Sequence, residues 1–176
     1  MMKKIFKFLI YIFTFFLFFL IFLPKENLYN LVEKELEKKQ LIISDEKRDE
    51  KLFGLDILNA KLFFEQINIS KIENISLETF ILYTKIEITN IALIDSFSQF
   101  APSPIEKLVI KHSILNPNNF TIFANGAFGE LNGTINIFNK ELKVELSASK
   151  QMKNSYPKLL KYFKFENERY LYEYRF

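Results

Sequence analysis

The chain has 176 residues, contains no cysteine and carries a formal net charge of +3. The lack of cysteine excludes disulfides, thiolate chemistry and Cys-ligated metals. Lys3, Lys4 and Lys7 account for the excess charge, because the other 21 basic residues are balanced by 21 acidic ones. A nucleic-acid-binding domain is expected to carry a surplus of Lys and Arg, so nucleic acid is not predicted as a partner.

The N-terminal segment 5–23 is almost purely apolar, and Phe, Leu and Ile supply most of it. At about 1.5 Å per residue such a helix measures roughly 28 Å, close to a hydrocarbon core of about 30 Å. No small-x-small cleavage site follows it, because the next residues are Pro-Lys-Glu-Asn. The sequence therefore predicts an uncleaved single-pass membrane anchor, whose apolar surface includes Ile5, Phe8, Phe13, Phe16, Phe19 and Leu23.

The orientation of this anchor follows from its flanking lysines. Lys3, Lys4 and Lys7 lie close before the apolar run, whereas only Lys25 lies close after it. The positive-inside rule then predicts a cytoplasmic N-terminus in a bacterial inner membrane, with the bulk of the chain in the periplasm. We expect residues 1–24 to form the tail and anchor, residues 25–39 an amphipathic helix, and residues 40–176 a β-rich domain.

The segment 25–39 has helical periodicity. Leu28, Leu31, Val32 and Leu36 share one face, and Asn27 is the predicted N-cap. Two interpretations are open: the helix docks on the membrane or a partner, or it covers one end of the β-domain.

Beyond residue 40 the apolar residues alternate, which predicts strands with one buried face. Phe53, Leu55 and Ile57 form one such series, and Ala60, Leu62 and Phe64 form the next. We predict a mainly β fold, an antiparallel sheet arranged as a roll or open sandwich, with short flanking helices. A strand is expected at 41–44, a charged turn at 45–51, a loop at 95–104, a helix at 157–163 and a last strand at 170–176.

The clearest hairpin prediction pairs residues 134–138 with residues 142–148. Lys143, Glu145 and Ser147 alternate with apolar residues on the second strand, so one face is polar and the other apolar. This apolar sheet face is the candidate lipid-binding surface, and it includes Ile135, Ile137, Leu142, Val144 and Leu146.

The sequence predicts no catalytic residue, cofactor or metal site. His112 is the only histidine and lies in a strand-like segment, which favours a solvent-facing strand residue. Gly126, Gly129 and Gly133 are not followed by the Lys-Ser/Thr ending of a phosphate-binding loop, so they predict a tight turn or bulge. A protein without enzymatic activity is the expectation.

The layout resembles the type II secretion protein N family and the wider AsmA-like envelope proteins. The resemblance is carried by an anchor ending in Leu-Pro, by the helix LYNLVEKEL, and by the glycine turn and strands of FANGAFGELNGTINIFNKELKVELSAS. It implies a periplasmic β-domain tied to protein secretion or lipid handling.

Two functional hypotheses follow. The first is a membrane-anchored accessory protein of envelope transport or secretion that handles lipid on an apolar sheet face. The second is a purely structural subunit of a secretion complex, with no ligand of its own. The positions of the surplus phenylalanines discriminate between these hypotheses. Side chains that line an open groove favour the first, and side chains that interlock in a closed core favour the second. These residues are Phe63, Phe64, Phe80, Phe97, Phe100, Phe120 and Phe123.

Overall fold

The computed structural model describes residues 2–22 and 24–176. Five helices are formed in this part of the chain: α1 (Met2–Phe22), α2 (Lys25–Glu37), α3 (Asp95–Ser98), α4 (Lys150–Ser155) and α5 (Pro157–Leu160). The strands are β1 (Leu41–Ser44), β2 (Lys47–Lys51), β3 (Gly54–Phe64), β4 (Ile67–Thr79), β5 (Tyr83–Leu93), β6 (Ile105–Ser113), β7 (Asn116–Gly126), β8 (Gly129–Asn136), β9 (Glu141–Ala148), β10 (Lys164–Glu166) and β11 (Arg169–Arg175).

All of these strands belong to one antiparallel sheet. From β3 to β9 the sheet is a meander, in which each strand pairs with the next one along the chain. β1 and β2 both pair with β3 at one side of the sheet, and β11 and β10 complete the other side. The predicted β-rich antiparallel fold is confirmed, as a single sheet.

Each face of the sheet has its own chemistry, because residues directly opposite one another in an antiparallel pair point to the same side. One line of partners across eight strands is almost wholly apolar and defines the apolar face: Leu55, Leu77, Ile86, Ile110, Ile122, Gly133, Val144 and Tyr172. The neighbouring line defines the polar face: Asp56, Ser76, Glu87, Val109, Phe123, Asn132, Glu145 and Leu171.

The sheet is irregular where the sequence alternation slips by one residue. Asn59 in β3 and Asn90 in β5 have positive φ values of 56° and 52°. As a result Ile57 and Ala60, which are three residues apart, enter the same buried cluster. The positive φ of Asn59 explains why the alternating series in the sequence restarts at Ala60. The pairing itself does not slip there, since Leu58 is opposite Asn74 and Ala60 is opposite Ile72.

Two helical segments cover parts of the apolar face. The Tyr29 side chain of α2 packs on a cluster that contains Leu55, Ile57, Ala60, Ile72 and Ile75. Met152 of α4 and Leu160 of α5 pack with Ala124, Phe128 and Leu146. These two buried clusters are separate patches on one side of the sheet, and Val109 is a further buried residue on the polar face.

Helix α2 confirms the predicted element but corrects its details. It begins at Lys25 after Pro24, so Asn27 is not its N-cap. Tyr29 is only 4% exposed, whereas Leu31 and Val32 are 57% and 54% exposed. The helix therefore packs through Tyr29 and leaves part of its predicted apolar face uncovered, because the sheet lies against a different side of the helix.

The charged segment 45–51 was predicted as a turn, and this prediction is wrong from Lys47 onward. Lys47–Lys51 forms β2 and pairs in register with residues 54–58 of β3. Arg48 donates hydrogen bonds to Asn30, Glu33 and Glu46, which fixes the strand against α2. A charged strand is stable here because it lies at the edge of the sheet, where its other side chains reach water.

The C-terminal elements largely follow the sequence. The predicted helix at 157–163 is present as α5, which ends earlier, at Leu160, and the predicted last strand is β11. The sequence did not predict α4, which is capped by the Ser149 hydroxyl accepting from the Met152 backbone N–H. The predicted loop at 95–104 holds the short helix α3.

Candidate functional site

The central feature of the molecule is a part of the apolar face that the helices leave uncovered. Its residues lie on β6 to β9, are partly exposed, and are not among the residues of the two buried clusters or packed against them. We call this surface the open patch, and it consists of Ile110, Ile122, Ile135, Leu142 and Val144.

The register of the strands brings the open patch together. Ile110 is opposite Ile122, and Ile122 is opposite Gly133, which is opposite Val144. Ile135 is opposite Leu142 in the β8–β9 hairpin. Because Gly133 has no side chain, Ile122 and Val144 approach each other over β8: a Cβ at Gly133 would lie 3.5 Å from Ile122 Cβ and 3.6 Å from a Val144 methyl. The result is a surface of branched aliphatic side chains without a charged group.

Four of the five predicted sheet-face residues lie on the apolar face. Ile135, Leu142 and Val144 belong to the open patch, and Leu146 is buried under α4 and α5. Ile137 does not belong to the strand, because β8 ends at Asn136 and residues 137–140 form the turn. The predicted hairpin is therefore correct in pairing and face, but Ile137 lies in the turn and is 52% exposed.

Ile110 and Ile122 were missed by the sequence analysis, although part of their signal was present. Each has one polar neighbour, Lys111 or Thr121, but also one apolar neighbour, Val109 or Phe123, so the alternation is incomplete. The pattern could have placed each residue on a strand face, but only the sheet order shows that β6 and β7 lie beside β8.

The predicted anchor residues from Ile5 to Phe19 lie on α1. Within the described residues, no helix combines the length and hydropathy that crossing a membrane requires. No described side chain of α1 is buried, and the exposed ones include Ile5, Phe8, Phe13, Phe16 and Phe19. Lys3, Lys4 and Lys7 are also exposed, and Leu23 lies outside the described residues.

A second feature is the end of the sheet where α1 leads into α2, which we call the α1 end. Lys25 and Tyr29 of α2 line a small recess there together with Gly54 and Thr79. The strand-to-strand turns at the α1 end are residues 52–53, 80–82, 114–115 and 137–140, and β11 also ends there. Leu17 of α1 lines an apolar recess of about 290 Å³ with two of these turns, through Phe53, Phe80, Ile81, Leu82 and Tyr83.

The polar face carries an open depression of about 510 Å³. Glu87 lines the depression and is paired with Lys107 at 2.6 Å and with Lys85 at 2.8 Å. Hydrogen bonds from Lys107 and Lys85 lower the pKa of Glu87 below its usual value. A carboxylate held ionised between two ammonium groups is a poor general base, so the depression gives no indication of acid–base chemistry.

The other residues singled out in the sequence are His112 and the glycines near the β7–β8 turn. His112 is a partly exposed β6 residue that stacks on Phe120, with the ring centroids 4.4 Å apart. Gly126 and Gly129 bracket the β7–β8 turn, which confirms the predicted tight turn. Among the described residues, no group of three or more His, Cys, Asp or Glu side chains is arranged to hold a metal ion.

The surplus phenylalanines do not interlock in a closed core. Phe64, Phe80, Phe100 and Phe123 are exposed, and Phe63, Phe97 and Phe120 are partly exposed. They also do not line one common groove, because Phe123 lies on the polar face and Phe120 on the apolar face. The phenylalanines therefore form neither the single groove that favours the first hypothesis nor the closed core that favours the second.

Comparison with known proteins adds no constraint, since no family, curated protein or solved structure matches this chain.

Proposed function

We propose that this protein is a membrane-anchored accessory protein of cell-envelope transport or secretion that holds lipid acyl chains on the open patch. The proposed placement is a bacterial inner membrane, with the N-terminus in the cytoplasm and the β-domain in the periplasm. No catalytic step is part of the proposal.

The observation that carries the proposal is the uncovered state of the open patch. Ile110, Ile122 and Val144 lie side by side and are neither covered by a helix nor interrupted by a charge. Contact with an acyl chain would remove their apolar surface from water, at about 25 cal/mol per Å². Such a surface is typical of sites that bind a partner or lipid.

The membrane anchor is supported by the surface of α1. Its described side chains from Ile5 onward are apolar except for Lys7, Tyr11 and Thr14, and the apolar ones face outward on every side of the helix. Lipid stabilises such a helix, because its backbone groups are paired internally and its side chains are apolar. The basic residues Lys3, Lys4 and Lys7 at its start are the basis for the cytoplasmic orientation.

Photo-crosslinking tests lipid contact at the open patch. The full-length protein is reconstituted into vesicles that contain a phospholipid with a diazirine in its acyl chain, and crosslinked peptides are identified by mass spectrometry. We expect crosslinks in β8 and β9. We expect Ile135→Asp to abolish them, because an acyl chain that covered the patch would have to strip water from a carboxylate.

Thr134→Asp is the matched control. Thr134 is the neighbouring residue on β8, but it is opposite Lys143 and points to the polar face. The same charge is therefore added one residue away without entering the patch, and crosslinking should persist. Equal crosslinking of wild type and Ile135→Asp, with circular dichroism unchanged, would refute lipid binding at the patch.

Anchoring and orientation have a separate test. In alkaline carbonate extraction of cell membranes, the protein should remain in the pellet. The orientation is tested with a reporter that is active only in the periplasm. Fused after Phe176, this reporter should be active. Release into the supernatant would contradict the anchor, and an inactive reporter would contradict the orientation.

A structural subunit of a type II secretion-like complex is the second candidate. The exposed pair Leu31 and Val32 on α2 favours it, because α2 packs on the sheet without covering them. If this candidate is correct, Leu31→Lys with Val32→Lys should release a partner protein from co-purification. Lipid crosslinking at β8 and β9 should then be absent in the wild type as well.

A further inference from the structure

The turns at the α1 end have an unusual composition for turns that face water. Two-residue and short hairpin turns normally contain Gly, Asn, Asp or Pro. Here the β6–β7 turn is Ile114-Leu115, and the β4–β5 turn is residues 80–82, with the sequence Phe-Ile-Leu. The β2–β3 turn is Leu52-Phe53, and the β8–β9 turn begins with Ile137-Phe138.

The apolar side chains of these turns project freely. Leu115 and Phe138 are each 81% exposed, the highest values among the large hydrophobic side chains of the described residues. Leu52, Leu82 and Ile114 are also exposed. Four turns that are distant in sequence thus present one row of apolar tips, because every second turn of a meander lies at the same end of the sheet.

The charges of the two ends differ. The four turns at the α1 end contain one charged side chain, Lys140, and no acidic one. The strand connections at the opposite end contain three acidic side chains, Glu65, Asp95 and Glu168, and four lysines in the segment 149–163. An acidic side chain is costly to bury in hydrocarbon, whereas a lysine can extend its ammonium to the lipid headgroups. The α1 end therefore suits insertion into hydrocarbon, because its four turns carry one charged side chain, whereas the connections at the opposite end carry seven.

The position of α1 fixes the depth of the β2–β3 and β4–β5 turns. Leu17 of α1 shares a recess with Phe53 and Phe80, so the β2–β3 and β4–β5 turns lie beside the helix rather than beyond it. Leu17 precedes the end of the described helix at Phe22 by five residues, or about 7–8 Å along the helix axis. Interfacial segments enter a bilayer by about 5–10 Å.

We infer that the row of apolar turns at the α1 end inserts into the same membrane leaflet as the end of α1. This inference rests on the proposed anchoring of α1 in lipid and adds a second contact with the bilayer. The occupant of the row is the acyl region of the membrane directly below the headgroups. The sheet then stands on the membrane by its turns, and the open patch begins next to the lipid, with Ile135 and Leu142 flanking the β8–β9 turn.

Single-cysteine labelling tests the insertion, and the chain suits this method because it contains no cysteine. Leu115→Cys and Phe138→Cys place an environment-sensitive fluorophore on two separate turns. Phe16→Cys places it on α1, and Ser96→Cys on the opposite end of the sheet. Each labelled full-length protein is reconstituted into vesicles of phosphatidylethanolamine and phosphatidylglycerol that contain a lipid with a quencher high on its acyl chain.

We expect quenching at positions 115 and 138 that is several-fold greater than at position 96, together with a blue shift of the emission. Position 16 should also be quenched, which reports on the anchor alone. Protection of positions 115 and 138 from aqueous iodide should accompany the lipid quenching.

The possible failures are distinguishable. If position 16 is quenched while positions 115 and 138 behave like position 96, the inference is overturned and the anchor stands. If none of the four positions is quenched, both the anchor and the inference fail. Protection from iodide without lipid quenching would show that a second copy or another protein covers the turns, which also overturns insertion into lipid.

Discussion

The guanidinium carbon of Arg48 lies 4.6 Å from the centre of the Tyr29 ring, so a β2 residue stacks on an α2 side chain that enters the core. The same guanidinium donates to Glu33 Oε2 at 3.0 Å and to Glu46 Oε1 at 2.7 Å. Burial, together with the charges of Glu33 and Glu46, raises the pKa of the Tyr29 hydroxyl, which therefore stays neutral. This contact joins the helix that follows α1 to the edge of the sheet.

Arg48→Ala should destabilise the protein by about 2 kcal/mol, because it leaves two largely desolvated carboxylates without their partner. The free energy of unfolding can be measured by chemical denaturation of the full-length protein in mild detergent. Arg169→Ala is the control, since its pair with Glu145 is about half exposed and should contribute less than about 0.5 kcal/mol. Equal effects of the two substitutions would show that Arg48 does not hold α2 on the sheet.

Glu87 should make stability depend on pH in the acidic range. Hydrogen bonds from Lys107 and Lys85 lower its pKa in the folded state below the ordinary value of 4.5. The stabilisation is therefore fully present above about pH 4.5 and is lost as the pH falls through the lowered pKa. Between about pH 7 and about pH 3, the melting temperature of Glu87→Gln should fall less than that of the wild type.

The control for this pH dependence is Glu130→Gln, which removes a carboxylate from the same face of the sheet without touching the two lysines. Its profile should follow that of the wild type. If Glu87→Gln also does so, the ion pairs with Lys85 and Lys107 do not stabilise the fold.

Gly129→Ala should cost about 2 kcal/mol of unfolding free energy. Gly129 has a φ of +112°, and a Cβ there would lie 2.1 Å from the Ser147 carbonyl oxygen. The strain would open the β7–β8 turn next to α4. Gly133→Ala on the same strand is the comparison, because its nearest contact would be 3.2 Å and its φ is unremarkable. This account would be contradicted if thermal denaturation showed a smaller loss of stability for Gly129→Ala than for Gly133→Ala.

Ser149→Ala should destabilise the protein by about 1–2 kcal/mol. The Ser149 hydroxyl accepts from the Met152 N–H at 3.0 Å and donates to the Ala127 carbonyl at 2.6 Å, so it joins α4 to the β7–β8 turn. Because α4 covers Leu146, hydrogen exchange should also accelerate in β9. Ser147→Ala, an exposed neighbour on the polar face, should leave both stability and exchange unchanged.

Local pattern predicted much of the fold. Alternation of Leu142, Val144 and Leu146 with charged residues required a strand with one apolar face, because side chains point to opposite sides with a period of two. The failures occurred where tertiary contacts override local pattern. The charged segment of β2 has no apolar alternation, and it becomes a strand because Arg48 finds partners on α2 that lie fifteen and eighteen residues away in sequence.

The sequence by itself determined a half-apolar antiparallel sheet, an N-terminal helix that is apolar on all sides, and a glycine turn before β8. Only the tertiary structure decided that Ile110 and Ile122 adjoin Val144, that α2 packs through Tyr29, and that the apolar turns share the α1 end. The reason is physical. Alternation fixes the face of each side chain within a strand, but the neighbour of that strand, and the end at which each turn lies, depend on the number, order and register of all the strands.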